Sequence, residues 1–377
     1  MFTCYLPKAV YAGEDTLCQL PALLEGVQKV AIFSDRGIER SGVLEKPLDL
    51  LTKKRINVSL LLDLPSEPTC DQAQTVADEF WQTGAQAIVA IGGGSVMDVA
   101  KLCSVVPHPR YTVRMLLDNA AHVHRQVRSV MIPTTFGTGS EATPNSIVAI
   151  PEKDLKVGII STQMLPDAVI LDADMVQNLP VSIAASTGID ALCHAIECYT
   201  SRKATPFSDL FSLEALRLIF AHLESACLDP AARDSKVAMQ LAAFYGGAAI
   251  TASGTTAVHA LSYPLSGKYH IPHGIANAML LLPVMRFNLE NCRTQFGRIY
   301  DMLEQTPASD KAEQLLSRME SLVHHLPIPM SLKTYGISQQ DLDTLAQAAM
   351  DVQRLLENNR RTVTVKDAKK IYQELLI

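Results

Sequence analysis

The sequence predicts two unlike halves, an α/β N-terminal region built on a parallel sheet followed by an all-α C-terminal region. Three observations carry this. Short apolar runs that end in Gly, Pro or Asp recur up to Asp172, the pattern of strands buried on both faces. After Pro180 long Ala/Leu/Ile-rich segments with helical periodicity take over, and no comparable β-branched run appears. A chain of 377 residues is also long enough to fill two cores. The boundary falls between 172 and 182, dividing the chain into 1–180 and 181–377.

Taken in order, residues 30–33 (VAIF) end at Ser34 and Asp35, and residues 58–62 (VSLLL) end at Asp63 and a Pro-containing turn. Residues 87–91 (AIVAI) run directly into Gly92, Gly93, Gly94 and Ser95, and residues 130–132 run into Pro133, Thr134 and Thr135. Residues 169–171 supply a last strand before Asp172. Helices are expected at 183–199, 206–225, 235–249, 295–303, 312–324 and 339–356.

Composition narrows the classes of function. The chain is 48% hydrophobic and 19% charged, ordinary for a globular protein, and its formal net charge of −6 argues against nucleic acid or an anionic membrane as partner. Eight scattered cysteines with no CxxC pair read as reduced thiols in a cytoplasmic protein. The first residues lack the charged region, apolar core and cleavage site of a signal peptide. Residues 237–267 contain no Asp, Glu, Lys or Arg, yet Gln240, Tyr245, paired glycines and a Thr/Ser cluster make them a poor membrane span. A buried helix pair beside an active site is expected there.

GGGSVMDVAK, from Gly92 to Lys101, follows a strand and opens a helix. Glycines let a backbone approach a pyrophosphate, and a helix N-terminus offers unpaired N–H groups and a favourable dipole. The run is not GxGxxG, and alone it could be merely a tight turn. PTTFGTGSEAT, from Pro133 to Thr143, is a second loop after a strand, rich in hydroxyls and glycine. Two such loops at the carboxyl ends of parallel strands mark the crevice where open α/β sheets bind ligands. The alternative for the second is an Ω-loop whose hydroxyls satisfy its own backbone. Asp35, after an early strand, could accept hydrogen bonds from an adenosine ribose and repel a 2′-phosphate, favouring NAD over NADP, or could simply cap a helix.

In GIDALCHAIE, Asp190 and His194 stand four residues apart and share one helix face. His259 and His273 are candidates to close a site from a second helix and the loop after it. One carboxylate and three imidazoles suit a divalent transition ion such as Fe(II) or Zn(II). Singly each has a bland reading: His194 as a satisfied core histidine, Asp190 as a cap, His273 as loop. Their conjunction beside a nucleotide-type region points to a metal-dependent dehydrogenase.

With these pieces, GGGSVMDVAK, PTTFGTGSEAT, GIDALCHAIE and PHGIANAMLLLPVMRFN, the chain resembles the iron-containing, or group III, alcohol dehydrogenase family over essentially its whole length. The resemblance implies a Rossmann-like dinucleotide-binding domain plus an all-α metal-binding domain, a dehydroquinate synthase-like architecture with the active site in the cleft between them. It places the metal ligands on Asp190, His194, His259 and His273. The pyrophosphate loop falls on Gly92, Gly93, Gly94 and Ser95, with Asp98 and Lys101 in the following helix. The second cofactor loop falls on Thr134, Thr135, Thr138 and Ser140, and the NAD-selecting aspartate on Asp35. Lys156 joins the cofactor contacts. The implied ligands are NAD and Fe(II), with Zn(II) fitting equally by ligand type, and the implied assembly is a homodimer or higher homo-oligomer.

Three departures stand out. Many members read HAMAHPLG where this chain has HALSYPLSG, so Tyr263 replaces a histidine often assigned to proton relay, and Tyr263 or His270 becomes the candidate for that step. Cys193 stands where threonine is frequent, and Glu67-Pro68 where Asn-Pro is common. The expected reaction is hydride transfer between NAD(H) and a small primary alcohol or aldehyde, with the metal acting as Lewis acid on the substrate oxygen. Alternatives are reduction of a small anionic aldehyde of phosphono- or sulfoacetaldehyde type, with Lys268 and His270 near the tail unless Lys268 is simply a solvated surface residue, a Zn glycerol dehydrogenase-like enzyme or a maleylacetate reductase. A regulator that binds NAD and metal without turnover, or a scaffold, is the non-enzymatic alternative.

Overall fold

The computed structural model describes residues 2–106, 111–120, 123–153, 155–304 and 306–377. The chain packs into two compact units, Tyr5–Leu179 and Pro180–Ile377, the second also taking the short N-terminal stretch ending at Cys4.

In the first unit, six strands form one sheet in the order β1-β8-β5-β4-β2-β3. They are β1 (Ala9–Gly13), β2 (Lys29–Phe33), β3 (Asn57–Leu61), β4 (Ala87–Gly92), β5 (Arg128–Pro133) and β8 (Ala168–Asp172), and every neighbouring pair is parallel. All residues of β4 and β8 are buried, which explains their unbroken apolar sequence: helices leave neither face to water. Those helices are α1 (Leu20–Leu23), α2 (Arg36–Arg40), α3 (Glu45–Lys53), α4 (Cys70–Thr83), α5 (Gly94–Val105) and α6 (Val113–Asp118). Leu17, Leu20 and Leu51 pack over one face against Val30, Ile32, Val89 and Ile132. Each such side chain contributes about 1.5–3 kcal/mol by leaving water.

Local chemistry fixes the element ends. The Thr69 hydroxyl accepts from Gln72 N at 3.2 Å while Gln72 Oε1 accepts from Thr69 N at 2.9 Å, a reciprocal cap that starts α4. Gly84 stops it, at a φ of 65° that costs glycine nothing. Two elements differ from expectation. β1 is an additional edge strand, and β6 (Asn145–Ile150) and β7 (Leu155–Ile160) form an antiparallel hairpin that the apolar-run pattern did not reveal.

The second unit is helical: α7 (Val181–Thr200), α8 (Pro206–Leu228), α9 (Arg233–Ser253), α10 (Ala257–Tyr269), α11 (His273–Leu303), α12 (Lys311–His324), α13 (Leu342–Ala349), α14 (Gln353–Leu356) and α15 (Val365–Glu374). The parallel-sheet α/β region and the helical region are therefore as the sequence predicts. α7 is the central helix: from Gly188 to Thr200 every residue is buried. The charge-free stretch ends α9, turns at Gly254 with φ 76° and forms most of α10. Among the described residues no helix is long and apolar enough to cross a membrane. The expected helix at 295–303 is the end of the 31-residue α11, and the one at 339–356 is interrupted between α13 and α14.

Candidate metal centre and cofactor loops

The paired register sets Gly92 of β4 opposite Pro133 of β5, so the two loops leave adjacent strands at their carboxyl ends. Thr134 N donates to Gly92 O at 3.0 Å. α5 starts after Gly93, which has no side chain to cap it, so its first N–H groups face outward from the helix end. A Cβ on Gly94 would fall 2.7 Å from Thr138 Cγ2, and one on Gly92 2.7 Å from Val96 Cγ2. Glycine is required at both positions because the second loop and the helix lie against them. Thr134 Oγ1 is buried with no hydrogen-bond partner in the structure, a polar atom suited to a ligand.

Other predicted contacts are engaged within the protein. The Ser95 hydroxyl donates to Ser66 O, and Thr138 Oγ1 accepts from Ser140 N at 3.2 Å. Asp98 Oδ1 takes the Ser140 hydroxyl, and Asp98 Oδ2 takes Ile147 N of the hairpin at 2.9 Å. Lys101, fully buried, donates to Ser140 O at 2.9 Å and lies 3.0 Å from Asp98 Oδ1. Burial pulls its ammonium below the ordinary value, and Asp98 opposes that. The pair ties the second loop to α5 from beneath. Asp35 caps α2, its Oδ1 accepting from Gly37 N at 2.7 Å and Ile38 N at 2.9 Å. Buried Lys156 pairs with Glu67 at 2.8 Å, so the Glu67 departure has a definite consequence: it supplies a carboxylate to that ammonium.

In the helical unit, α7 contributes Asp190 and His194, α10 His259 and the first residue of α11 His273. One ligand atom each from Asp190, His259 and His273 come within 4.8 Å of one another. From Asp190 Oδ1 the distances are 3.7 Å to His259 Nε2, 3.8 Å to His273 Nε2 and 3.9 Å to His194 Nε2. The His194 and His259 rings stack with centroids 4.6 Å apart. All four predicted residues therefore converge around one carboxylate oxygen. Asp190, His194 and His259 are buried, whereas the His273 side chain is 29% exposed, so the cluster opens on the His273 side.

The donor set fits a divalent cation. One carboxylate and three imidazoles, with atoms spaced to surround a small ion, match borderline transition metals. Burial would push the Asp190 carboxyl up, but His194, His273 and His259 hold it below its ordinary value. Burial would pull the His259 imidazole down, but Glu197 and Asp190 hold it above its ordinary value. The first direction keeps Asp190 ionised, so an anionic oxygen lies at the centre of the imidazoles, and the second reflects the two carboxylates beside His259.

Two residues here were missed in the sequence. Asn277 Nδ2 donates to Asp190 Oδ1 at 2.7 Å and lies 3.2 Å from His259 Nε2 and 3.1 Å from His273 Nε2. Glu197, with no exposure, accepts from His259 Nδ1. A charged residue inside the apolar run of ALCHAIECYT was the available signal for Glu197; Asn277 gave none.

Close packing holds the ligands. A Cβ on Gly246 of α9 would sit 3.3 Å from His194 Cβ, and one on Gly274 would come 2.5 Å from Ser186 O. The first places α9 against His194, and the second seats α11 on α7 beside His273. The proton-relay candidates differ in setting. Tyr263 is buried on α10 with its ring centroid 6.2 Å from that of His273. His270 is exposed and ends α10 in the left-handed region at φ 53°. Lys268 lies over the Tyr269 ring at 5.4 Å.

Comparison with known proteins identifies the family. Residues 7–173 match the family described as iron-containing alcohol dehydrogenase, and residues 184–376 match the Fe-containing alcohol dehydrogenase family, C-terminal. A protein of Escherichia coli (strain K12) named "Probable alcohol dehydrogenase EutG" is 31% identical over 96% of this chain and 90% of its own. A sulfoacetaldehyde reductase of Bilophila wadsworthia is 32% identical over 89% of this chain and 88% of its own. The crystal structure of a 1,3-propanediol oxidoreductase superposes with a TM-score of 0.93 at 26% identity, covering all of both chains. Two family matches that together span nearly the whole sequence, on a fold carrying the converged Asp/His cluster, settle the lineage: the chain belongs to the iron-containing alcohol dehydrogenase family.

Proposed function

We propose that the protein is an NAD-dependent, iron-dependent alcohol dehydrogenase and aldehyde reductase acting on a small primary alcohol or aldehyde. The observation that carries the reading is the convergence of Asp190, His194, His259 and His273 around Asp190 Oδ1. These four would hold Fe(II). Residues 1–180 would bind NAD and residues 181–377 would form the metal-binding catalytic domain. When bound, the iron supplies a Lewis acid for the substrate oxygen and NAD takes up or delivers the hydride.

The chain's own residues do the rest. Gly92, Gly93, Gly94 and Ser95 let the pyrophosphate approach the start of α5, with Thr134, Thr135, Thr138, Ser140 and Lys156 around it. Asp98 and Lys101 act from below, holding the second loop in place for that contact. Asp35 uses Oδ1 as a cap and presents Oδ2 to a ribose, selecting NAD. Substrate enters on the exposed His273 side. Tyr263, buried beside His273, holds the proton that the substrate oxygen gains or loses, and His270 at the exposed end of α10 exchanges it with solvent.

A second reading, reduction of a small sulfonate-bearing aldehyde, is favoured by the identity with the sulfoacetaldehyde reductase. The reading also includes a cytoplasmic location, supported by eight unpaired cysteines, and assembly as a homodimer or higher homo-oligomer, supported by the family resemblance.

The test is NADH oxidation by Fe(II)-reconstituted protein across a panel of small aldehydes that includes anionic ones. Turnover with a neutral aldehyde supports the main reading, and turnover confined to the sulfonate supports the second. Absence of turnover with iron and NADH both bound would leave a silent NAD- and metal-binding protein.

A further inference from the structure

Glu197 lies on α7 two turns beyond Asp190 and one turn beyond His194, with no exposure to solvent. Its carboxylate reaches the start of α10. Oε1 accepts from the Thr256 hydroxyl at 2.6 Å and from Val258 N at 2.7 Å, and Oε2 accepts from His259 Nδ1. Thr256 is the N-cap of α10 but makes no side-chain cap bond to its own helix, so a carboxylate from another helix takes that role. A buried carboxylate is tolerated only when its lone pairs are met, and three donors meet them here.

The third bond has a chemical consequence. A carboxylate can only accept, so the imidazole must place its proton on Nδ1. His259 Nε2 then carries the lone pair, and Nε2 is the atom that faces Asp190 Oδ1 at 3.7 Å. We propose that Glu197 is a positioning residue that fixes both the tautomer and the ring orientation of His259, presetting Nε2 as a metal ligand. It thereby fastens α10 to α7 at the point where each contributes to the cluster. The proposal rests on the reading that this cluster holds the metal.

Glu197→Gln separates positioning from packing because it keeps shape and volume. If the amide oxygen stays under Thr256 and Val258, the NH₂ group faces His259 Nδ1 and demands a lone pair there. The imidazole proton then moves to Nε2, where it blocks the metal. If the amide turns over, its NH₂ can donate to the Thr256 hydroxyl but faces the Val258 N–H, which is left without an acceptor. Glu197→Asp keeps the charge but falls one methylene short.

The experiment has two arms. The first reads the His259 tautomer by long-range ¹H–¹⁵N correlation in metal-free wild-type protein, at a pH high enough to keep the imidazole neutral. Protonation at Nδ1 is expected; an Nε2–H form in the wild type overturns the proposal, whether or not any variant folds. The second measures Fe(II) affinity by chelator competition, with the unfolding temperature of the metal-free protein as control. Glu197→Gln should bind Fe(II) about 10- to 100-fold more weakly, with Glu197→Asp recovering part of the loss. Wild-type affinity in Glu197→Gln overturns the proposal. Failure of the wild-type protein to bind Fe(II) would instead overturn the metal reading itself, so the two failures are distinguishable.

Discussion

Lys101 Nζ lies 3.0 Å from Asp98 Oδ1, one helical turn away on α5, as an ion pair buried beneath the loop that follows β5. The same ammonium holds Ser140 O, and the same carboxylate holds the Ser140 hydroxyl and the hairpin through Ile147 N. Removing one partner leaves the other charge buried and uncompensated. Lys101→Met is therefore expected to cost about 3–5 kcal/mol in urea unfolding and to weaken NAD binding, because the loop loses its tether. Adding Asp98→Asn should restore most of the stability. An unchanged unfolding midpoint in Lys101→Met would contradict this role.

Gly94→Ala tests the closeness of the two loops. The new methyl would fall 2.7 Å from Thr138 Cγ2, so the loop must shift. Such crowding costs about 1–3 kcal/mol, and at a loop proposed to hold the cofactor this is expected as roughly a tenfold or greater rise in KM for NAD with kcat less affected. Steady-state kinetics with varied NAD checks it.

Glu141, fully buried in the same loop, gives a pH dependence. Burial pushes its carboxyl from an ordinary 4.5 up to about 7, with Lys101 lowering it and Asp98 raising it further. A folded-state value above the unfolded one means that its stabilisation is complete below about pH 4.5 and is lost as pH rises through about 7. Each tenfold change in the protonation equilibrium corresponds to about 1.4 kcal/mol, so the loss is on the order of 3 kcal/mol. Glu141→Gln should therefore gain in melting temperature relative to wild type between about pH 5 and pH 8. A gap that stays constant over that window would count against a neutral buried Glu141.

Tyr263 and His270 are separated by their settings. Tyr263→Phe removes the hydroxyl from the buried ring that packs 6.2 Å, centroid to centroid, from the His273 ring, and is expected to lower kcat about 100-fold. His270→Ala, at an exposed helix end, should leave kcat near wild type and change only its dependence on buffer. Equal activity of Tyr263→Phe and wild type would move the proton path elsewhere.

What the sequence made legible follows from how each element is buried. β2, β4, β5 and β8 are covered on both faces and so read as unbroken apolar runs. β1 lies at the sheet edge, where burial alternates over only five residues, and β6 alternates in the same way within its hairpin. Each still carries a short apolar run, residues 9–12 (AVYA) before Gly13 and 147–150 (IVAI) before Pro151, a weaker form of the same signal. The first half of α11 was lost because residues 278–285 are buried all round and show no 3.6-residue period. The metal quartet was visible because i,i+4 spacing and Pro-His-Gly survive in one dimension. Glu197 and Asn277 were not, since their roles depend on α7, α10 and α11 meeting in space.

The central claim is that Asp190, His194, His259 and His273 hold the iron on which turnover depends. Iron content per chain, measured after reconstitution and desalting for wild type, His259→Ala and His273→Ala, tests it most directly. Stoichiometric iron in the wild type with its loss from both variants, alongside loss of NADH oxidation, is the predicted result. Retention of full iron and full turnover by either variant would contradict it.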